Sequence, residues 1–170
     1  MAQEEYLLSE EEYPYKRRWK AAVSARGSYQ GDIMKLLYEK FGNEGLEILS
    51  EVYGNKAKAV FMSGRKSFGI EGVGAKDFLR YFHYSGQIMY PMFKTEITPG
   101  SDEKKASIRY YGCPLWTEPA KVRGGVEMCE ACFAFEKTAA SMINPKLKVY
   151  CSKLLTKGDP YCEITAELEN

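Results

Sequence analysis

Five cysteines, one histidine and a few acids carry most of the chemical potential of this chain, and all five cysteines fall in its last third: Cys113, Cys129, Cys132, Cys151 and Cys162. Cys129 and Cys132 form a C-x-x-C inside an expected helix. A spacing of three puts both sulfurs on one face, about 5–6 Å apart at Cβ. That suits metal chelation or a paired thiolate. The segment before it, Gly-Gly-Val-Glu-Met, is not a buried strand, so a thioredoxin-type redox site is poorly supported. Cys113 precedes Pro114 at the end of a predicted strand, where a loop can open it onto a cleft. Cys162 follows Gly158-Asp159-Pro160, which read alone is hairpin-turn chemistry. His83, between Phe82 and Tyr84 on a helix, reads first as a structural histidine and second as a proton carrier. One histidine excludes a multi-His metal site within one chain. Each cysteine also has a plain reading as a small buried hydrophobe.

The elements that must position these residues follow from periodicity. Residues 1–27 read as an N-terminal arm, acidic and then basic, whose basic stretch KRRWKAAVSARG can form a short helix, and Gly27-Ser28 reads as a break before a single domain over 28–170. Apolar spacing predicts helices over about 30–41, 43–63 and 75–88. MFKTEIT and ASIRYYG flank a polar turn and read as a hairpin. A fourth helix is predicted over about 126–143, stopped by Asn144-Pro145. LKVYCSKLL and YCEITAEL then read as two strands. Three helices, a hairpin, a helix and a hairpin make an α+β domain, an antiparallel sheet covered by helices.

Composition bounds the function. The chain has 170 residues, 45% of them hydrophobic, which is enough for one real core and excludes disorder as the main state. Lys+Arg 24 against Asp+Glu 23 leaves +1, so no global charge draws it to nucleic acid or an anionic membrane. No apolar run reaches the ~18 residues of a membrane span. The acidic start lacks a signal-peptide layout. With an odd cysteine count, that points to a reducing, cytoplasmic setting with free thiols. Aromatics at 14% read mainly as core filling, and secondarily as the lining of a small-molecule pocket. Apolar residues beyond a single stripe on the first three helices predict self-association, as a dimer.

Cys113-Pro114, the cysteine-bearing helix, Asn144-Pro145-Lys146-Leu147 and the final Gly158-Asp159…Cys162-Glu163-Ile164 together resemble the L-2-amino-thiazoline-4-carboxylic acid hydrolase-like family. The resemblance spans roughly Gln30 to Leu168 and is specific after Gly112. The last piece also resembles the ending of 4-vinyl reductase domains. Those share a ligand-binding fold with nitric-oxide-sensing haem domains and transport-complex subunits. The resemblance implies that fold and a hydrolase that opens a C–N bond of a small cyclic amidine or related heterocycle. Two mechanisms fit. In one, Cys113 or Cys132 attacks as a thiolate while His83 or Asp159 moves protons. In the other, Zn²⁺ held by Cys129, Cys132 and Cys162 activates water, with Glu130 or Glu163 as a fourth ligand. The sequence departs from zinc-binding relatives, because Leu154 stands where they place a cysteine. The family also carries an acid shortly after the helix cysteine, a place Glu136 can take. Cys151, by strand parity, is expected on the opposite face from Cys162 and structural. The alternative function is a small-molecule-binding sensory or accessory domain without catalysis, and a third is a scaffold subunit that uses the N-terminal arm.

Overall fold

The computed structural model describes residues 11, 14–90, 93–113 and 126–169. Four helices and four strands run in the order α1 (Tyr15–Phe41), α2 (Asn43–Ser67), α3 (Ala75–Met89), β1 (Thr95–Ile97), β2 (Lys105–Tyr110), α4 (Val126–Ile143), β3 (Leu147–Lys153) and β4 (Cys162–Leu168). The strands form one antiparallel sheet in the order β1-β2-β4-β3. The α+β class and the antiparallel sheet are as the periodicity predicts.

The sheet is two-faced, with the alternation that a half-buried sheet requires. Ala106, Ile108, Ile164, Ala166 and Leu147 are buried on its helix side. The other side is polar and cross-linked. Arg109 meets Glu163 at 2.7 Å, Lys105 meets Glu167 at 3.0 Å, and the Ser107 and Thr165 hydroxyls lie 2.8 Å apart.

Beneath the helices lies an aromatic core. Phe61 of α2 and Phe78 and Leu79 of α3 are fully buried. The Phe61 ring lies 4.6 Å from Tyr81, edge to face, and 6.0–6.1 Å from Phe78 and Phe82. Phe82 in turn meets Phe135 of α4 at 6.0 Å. Part of the aromatic richness is therefore core filling, while Tyr15, Tyr29, Phe41, Tyr111 and Tyr150 are exposed.

The break expected at Gly27-Ser28 is absent, since α1 runs unbroken from Tyr15. The expected arm is thus in large part a helix. Glycine inside a helix costs about 1 kcal/mol, which tertiary packing offsets here. Val23, Gly27, Gly31 and Met34 form the buried stripe of α1, so the glycines sit where the helix is packed. Earlier in the same helix, Trp19 Nε1 donates to the Ile88 carbonyl at 3.0 Å and ties α1 to the end of α3.

A single residue separates α1 from α2. Gly42 adopts φ 56°, ψ −128°, a left-handed backbone that suits glycine. A Cβ on Gly45 would stand 2.4 Å from the Leu37 carbonyl oxygen, so the two helices meet backbone to backbone at that point.

Candidate functional site

The inner wall of the molecule is the face of α4 that looks at the sheet. Cys129, Cys132, Phe133, Glu136, Ala140 and Ile143 recur at steps of three and four. Ala139 and Ala140 are fully buried and let the helix come close. Opposite stand the inward residues of the sheet, with Tyr110 paired to Cys162 and Cys151 paired to Ile164.

Glu136 is the anomaly on this wall. A carboxyl sits on a face otherwise made of Ala, Cys and Phe. Its Oε2 is buried and has no hydrogen-bond partner among the described residues. Burial raises its pKa from 4.5 to about 7, and only its own backbone N–H pulls the other way. Around it, the ionised forms of Tyr81, Tyr110, Cys132 and Cys151 are all disfavoured, by burial first and then by the Glu136 charge. Glu136 is therefore central to the group. Tyr110, Cys132 and Glu136 lie deep enough for desolvation to govern their protonation, yet each keeps accessible surface. These three side chains, on α4 and on the sheet, make the candidate site.

The thiols make different contacts, although Cys129 is electrostatically close to Cys132, Cys151 and Cys162 alike. Cys132 lies electrostatically close to the Tyr53 hydroxyl and to Cys113. Tyr53 also accepts from Gln30 Nε2 and contacts Met34 Sδ at 3.4 Å. Cys129 and Cys162 instead hold the β3–β4 connection, a single 3-10 turn at Leu155–Lys157. The Cys129 sulfur lies 3.3 Å from the Thr156 hydroxyl, and the Leu155 N–H donates to the Cys162 sulfur at 3.3 Å. All five cysteines are free. Burial pushes the Cys132 thiol well up, the Cys151 thiol up to about 12, and the Cys162 thiol up as well. These three are neutral thiols at neutral pH.

The zinc set does not fit this arrangement. Among the described residues, no three His, Cys, Asp or Glu side chains are placed to hold a metal ion. Cys132 belongs to the Tyr53 group, while Cys129 and Cys162 serve the turn. The two expected fourth ligands point elsewhere. Glu163 is held by Arg109 on the outer face, and Glu130 lines a surface groove between α2 and α4 with Leu46, Ser50 and Lys137.

The proton carriers named from the sequence are also placed elsewhere. Asp159 Oδ2 accepts the Leu154 N–H at 2.8 Å and closes the turn. The His83 ring is held at the α3–β1 seam, its Nε2 3.1 Å from Gln87 Nε2 and its Nδ1 3.1 Å from Thr95 Oγ1, and burial lowers its pKa. A further difference concerns Cys151. It pairs with Ile164, two residues beyond Cys162, and so shares the inner face with Cys162. A register shift between Cys151 and Lys153 resets the strand parity on which the opposite expectation rested.

Sequence reasoning reached Cys113 and Cys132 and touched Glu136 only through the resemblance. It missed Tyr53, Tyr90 and Tyr110. One signal was available: Glu136 lies four residues after Cys132, on the same apolar stripe.

No helix among the described residues is long and apolar enough to cross a membrane. No family model matches the chain, and a search of curated proteins returns no match. Among solved structures, a trafficking protein particle complex subunit 3 from Naegleria fowleri, covalently bound to palmitic acid, is similar with a TM-score of 0.62 and 16% identity. The likeness covers 89% of this chain and 97% of that one. At that identity it is a likeness of fold alone.

Proposed function

We propose that the chain is a hydrolase that opens a C–N bond of a small cyclic amidine, as its resemblance to the L-2-amino-thiazoline-4-carboxylic acid hydrolase-like family implies. The observation that carries this reading is the buried carboxyl of Glu136 on α4, whose Oε2 has no hydrogen-bond partner among the described residues. A buried unpaired carboxylate destabilises the protein that holds it, and a cationic ligand relieves the penalty. A protonated amidine is such a ligand. It is planar, and its two N–H donors match the two oxygens of a carboxylate. Its positive charge would lower the pKa of both Glu136 and Cys132 on binding.

Cys132, one turn before Glu136, is the nucleophile of this reading. Its sulfur adds to the amidine carbon, and the thiol proton passes to Glu136. The ring C–N bond breaks, and the nitrogen leaves with that proton. Water then adds to the carbon, the thiol departs, and a carbamoyl group remains. Cys113 is the second thiol of the same group, while His83 and Asp159 take structural roles. The test is ring opening of a cyclic amidine by the purified protein, followed by chromatography. We expect kcat/KM to rise between pH 5.5 and 7.5, with a midpoint near the Glu136 value of about 7. No ring opening by the wild-type chain at any pH sinks the reading.

One observation favours the second reading, a small-molecule-binding domain without catalysis. The structurally similar trafficking subunit carries palmitic acid, and transport-complex subunits are among the proteins that share the 4-vinyl-reductase-like fold implied by the resemblance. An ionisable carboxyl on α4 ranks it second, because a long acyl chain would leave Glu136 buried without a partner. Intact-mass measurement separates the two readings, since a bound acyl chain adds its own mass.

The protein in this proposal works in a reducing cytoplasm and as a dimer. Tyr29, Ile33 and Leu36 make an exposed apolar stripe on α1, at 70%, 41% and 51% exposure, next to exposed Ile48 and Val52 on α2. So much open apolar surface on neighbouring helices favours pairing with a second copy. Light scattering at micromolar concentration is expected to give the mass of two chains. A one-chain mass throughout removes the dimer.

A further inference from the structure

Two sulfurs grip the turn that joins β3 to β4, and the hydrolytic step uses neither. Cys129, in the first turn of α4, lies 3.3 Å from the Thr156 hydroxyl. Cys162, the first residue of β4, accepts the Leu155 N–H at 3.3 Å. Leu155 and Thr156 are consecutive, so the two sulfurs meet the backbone within one residue step. They come to it from facing walls, α4 on one side and the inner face of the sheet on the other. The Cys129 sulfur also acts electrostatically on Cys162. Both are free thiols, and both keep part of their surface accessible.

The neighbouring thiols are worse placed to join either one. Cys129 and Cys132 are three apart on one helix, which holds their Cβ atoms about 5–6 Å apart. Cys151 pairs with Ile164, so Cys162 is its diagonal neighbour on the sheet, about 7–8 Å away. A disulfide needs about 3.5–4.5 Å between Cβ atoms. Both spacings exceed that and are fixed by regular structure. The spacing of Cys129 and Cys162 is not. Cys162 pairs with Tyr110 on β2 but lies beyond the last pair of the β3–β4 ladder, Lys153 with Glu163. What separates it from α4 is the short 3-10 turn at Leu155–Lys157.

We propose that Cys129 and Cys162 are a redox site, a thiol pair that a hydroperoxide converts to a reversible disulfide. This site does not depend on the hydrolase reading. In the first step one sulfur attacks a peroxide oxygen. The S–O bond forms, the O–O bond breaks, and the thiol proton leaves with the other oxygen as an alcohol or water. In the second step the other sulfur attacks the sulfenic sulfur. The S–S bond forms, the S–O bond breaks, and the hydroxyl leaves as water with the second thiol proton. Two electrons pass from the sulfurs to the peroxide, and a dithiol returns them by exchange. Transient disulfides of this kind are the ones a reducing compartment allows. The bond takes both sulfurs from the turn and fastens α4, which carries Cys132 and Glu136, to the start of β4.

The test treats the reduced full chain with hydrogen peroxide in mildly alkaline buffer, blocks the remaining thiols with iodoacetamide, and maps the peptides by mass spectrometry. We expect the loss of two hydrogen masses, a peptide pair joining Cys129 to Cys162, and the return of both thiols with dithiothreitol. A crosslink over this stretch of chain is expected to raise the unfolding temperature by roughly 5–15 °C, a rise that dithiothreitol cancels. Cys151→Ser keeps the crosslink, and Cys162→Ser abolishes it. The map of the wild-type chain decides the pairing even where a serine variant fails to fold. A crosslink through Cys113, Cys132 or Cys151, a crosslink between two chains, oxygen addition without a crosslink, or no change at all overturns the site.

Discussion

Replacing Glu136 by Gln is expected to stabilise the protein at pH 8 by about 3 kcal/mol while removing its turnover. The stability part follows from linkage. The carboxyl has an ordinary pKa of 4.5 and a folded value of about 7. A raised folded value means that the folded state prefers the protonated form. The penalty is therefore absent below about pH 4.5, grows as pH rises, and is complete above about pH 7. A shift of that size is worth about 3 kcal/mol. Thermal unfolding should show Glu136→Gln level with wild type at pH 4 and roughly 6–12 °C above it at pH 8. The activity part follows from the proton transfer. An amide cannot take the Cys132 proton, and loss of a general base costs about 10²–10⁴ in rate. A variant that gains stability and loses ring opening marks a residue kept for function at the expense of stability. Equal unfolding temperatures at pH 8 would show that the carboxyl finds a partner in solution.

Phe61→Ala is expected to lose about 3–5 kcal/mol, the range for deleting a fully buried phenylalanine ring. Phe61 has no exposed surface and touches three rings of α3. Its loss leaves a cavity that those rings, on a helix held against the sheet, cannot easily fill. The buried Arg65 guanidinium, 5.8 Å from the same ring, loses its cover as well. Denaturant titration measures the effect. A loss below about 1 kcal/mol would mean that α2 and α3 close over the gap.

How far the fold could be read from residues differs from element to element. The span of α4 was legible at both ends, because apolar periodicity begins near Val126 and Asn144-Pro145 stops it. The strand pairs were legible from alternation, and the turn between β3 and β4 from Gly158-Asp159-Pro160. The first half of α1 was not. Its Lys, Arg and Ala residues favour a short helix, but Gly27 reads locally as a break, and contacts with α3 through Trp19 and Arg26 carry the helix through it. The face of Cys151 was lost for a different reason, since an irregularity in β3 leaves no mark in the alternation before it. The site was legible in part. Cysteine positions show in a sequence, but the depth of Glu136 depends on how closely Ala139 and Ala140 let α4 approach the sheet.

The central ladder joins β2 to β4, and α4 and β3 lie between them in the chain. Tyr110 and Cys162 can pair only after the intervening chain has looped out and back. That loop is entropically expensive, and contacts of such sequence separation form late and slowly. The α1–α2 hairpin, joined through Gly42 alone, is local and belongs to the fast part of folding. The wall that carries Glu136 meets its opposite wall only when this ladder closes. The candidate site is thus assembled by a long-range pairing, and a chain that has formed all four helices can still lack a site.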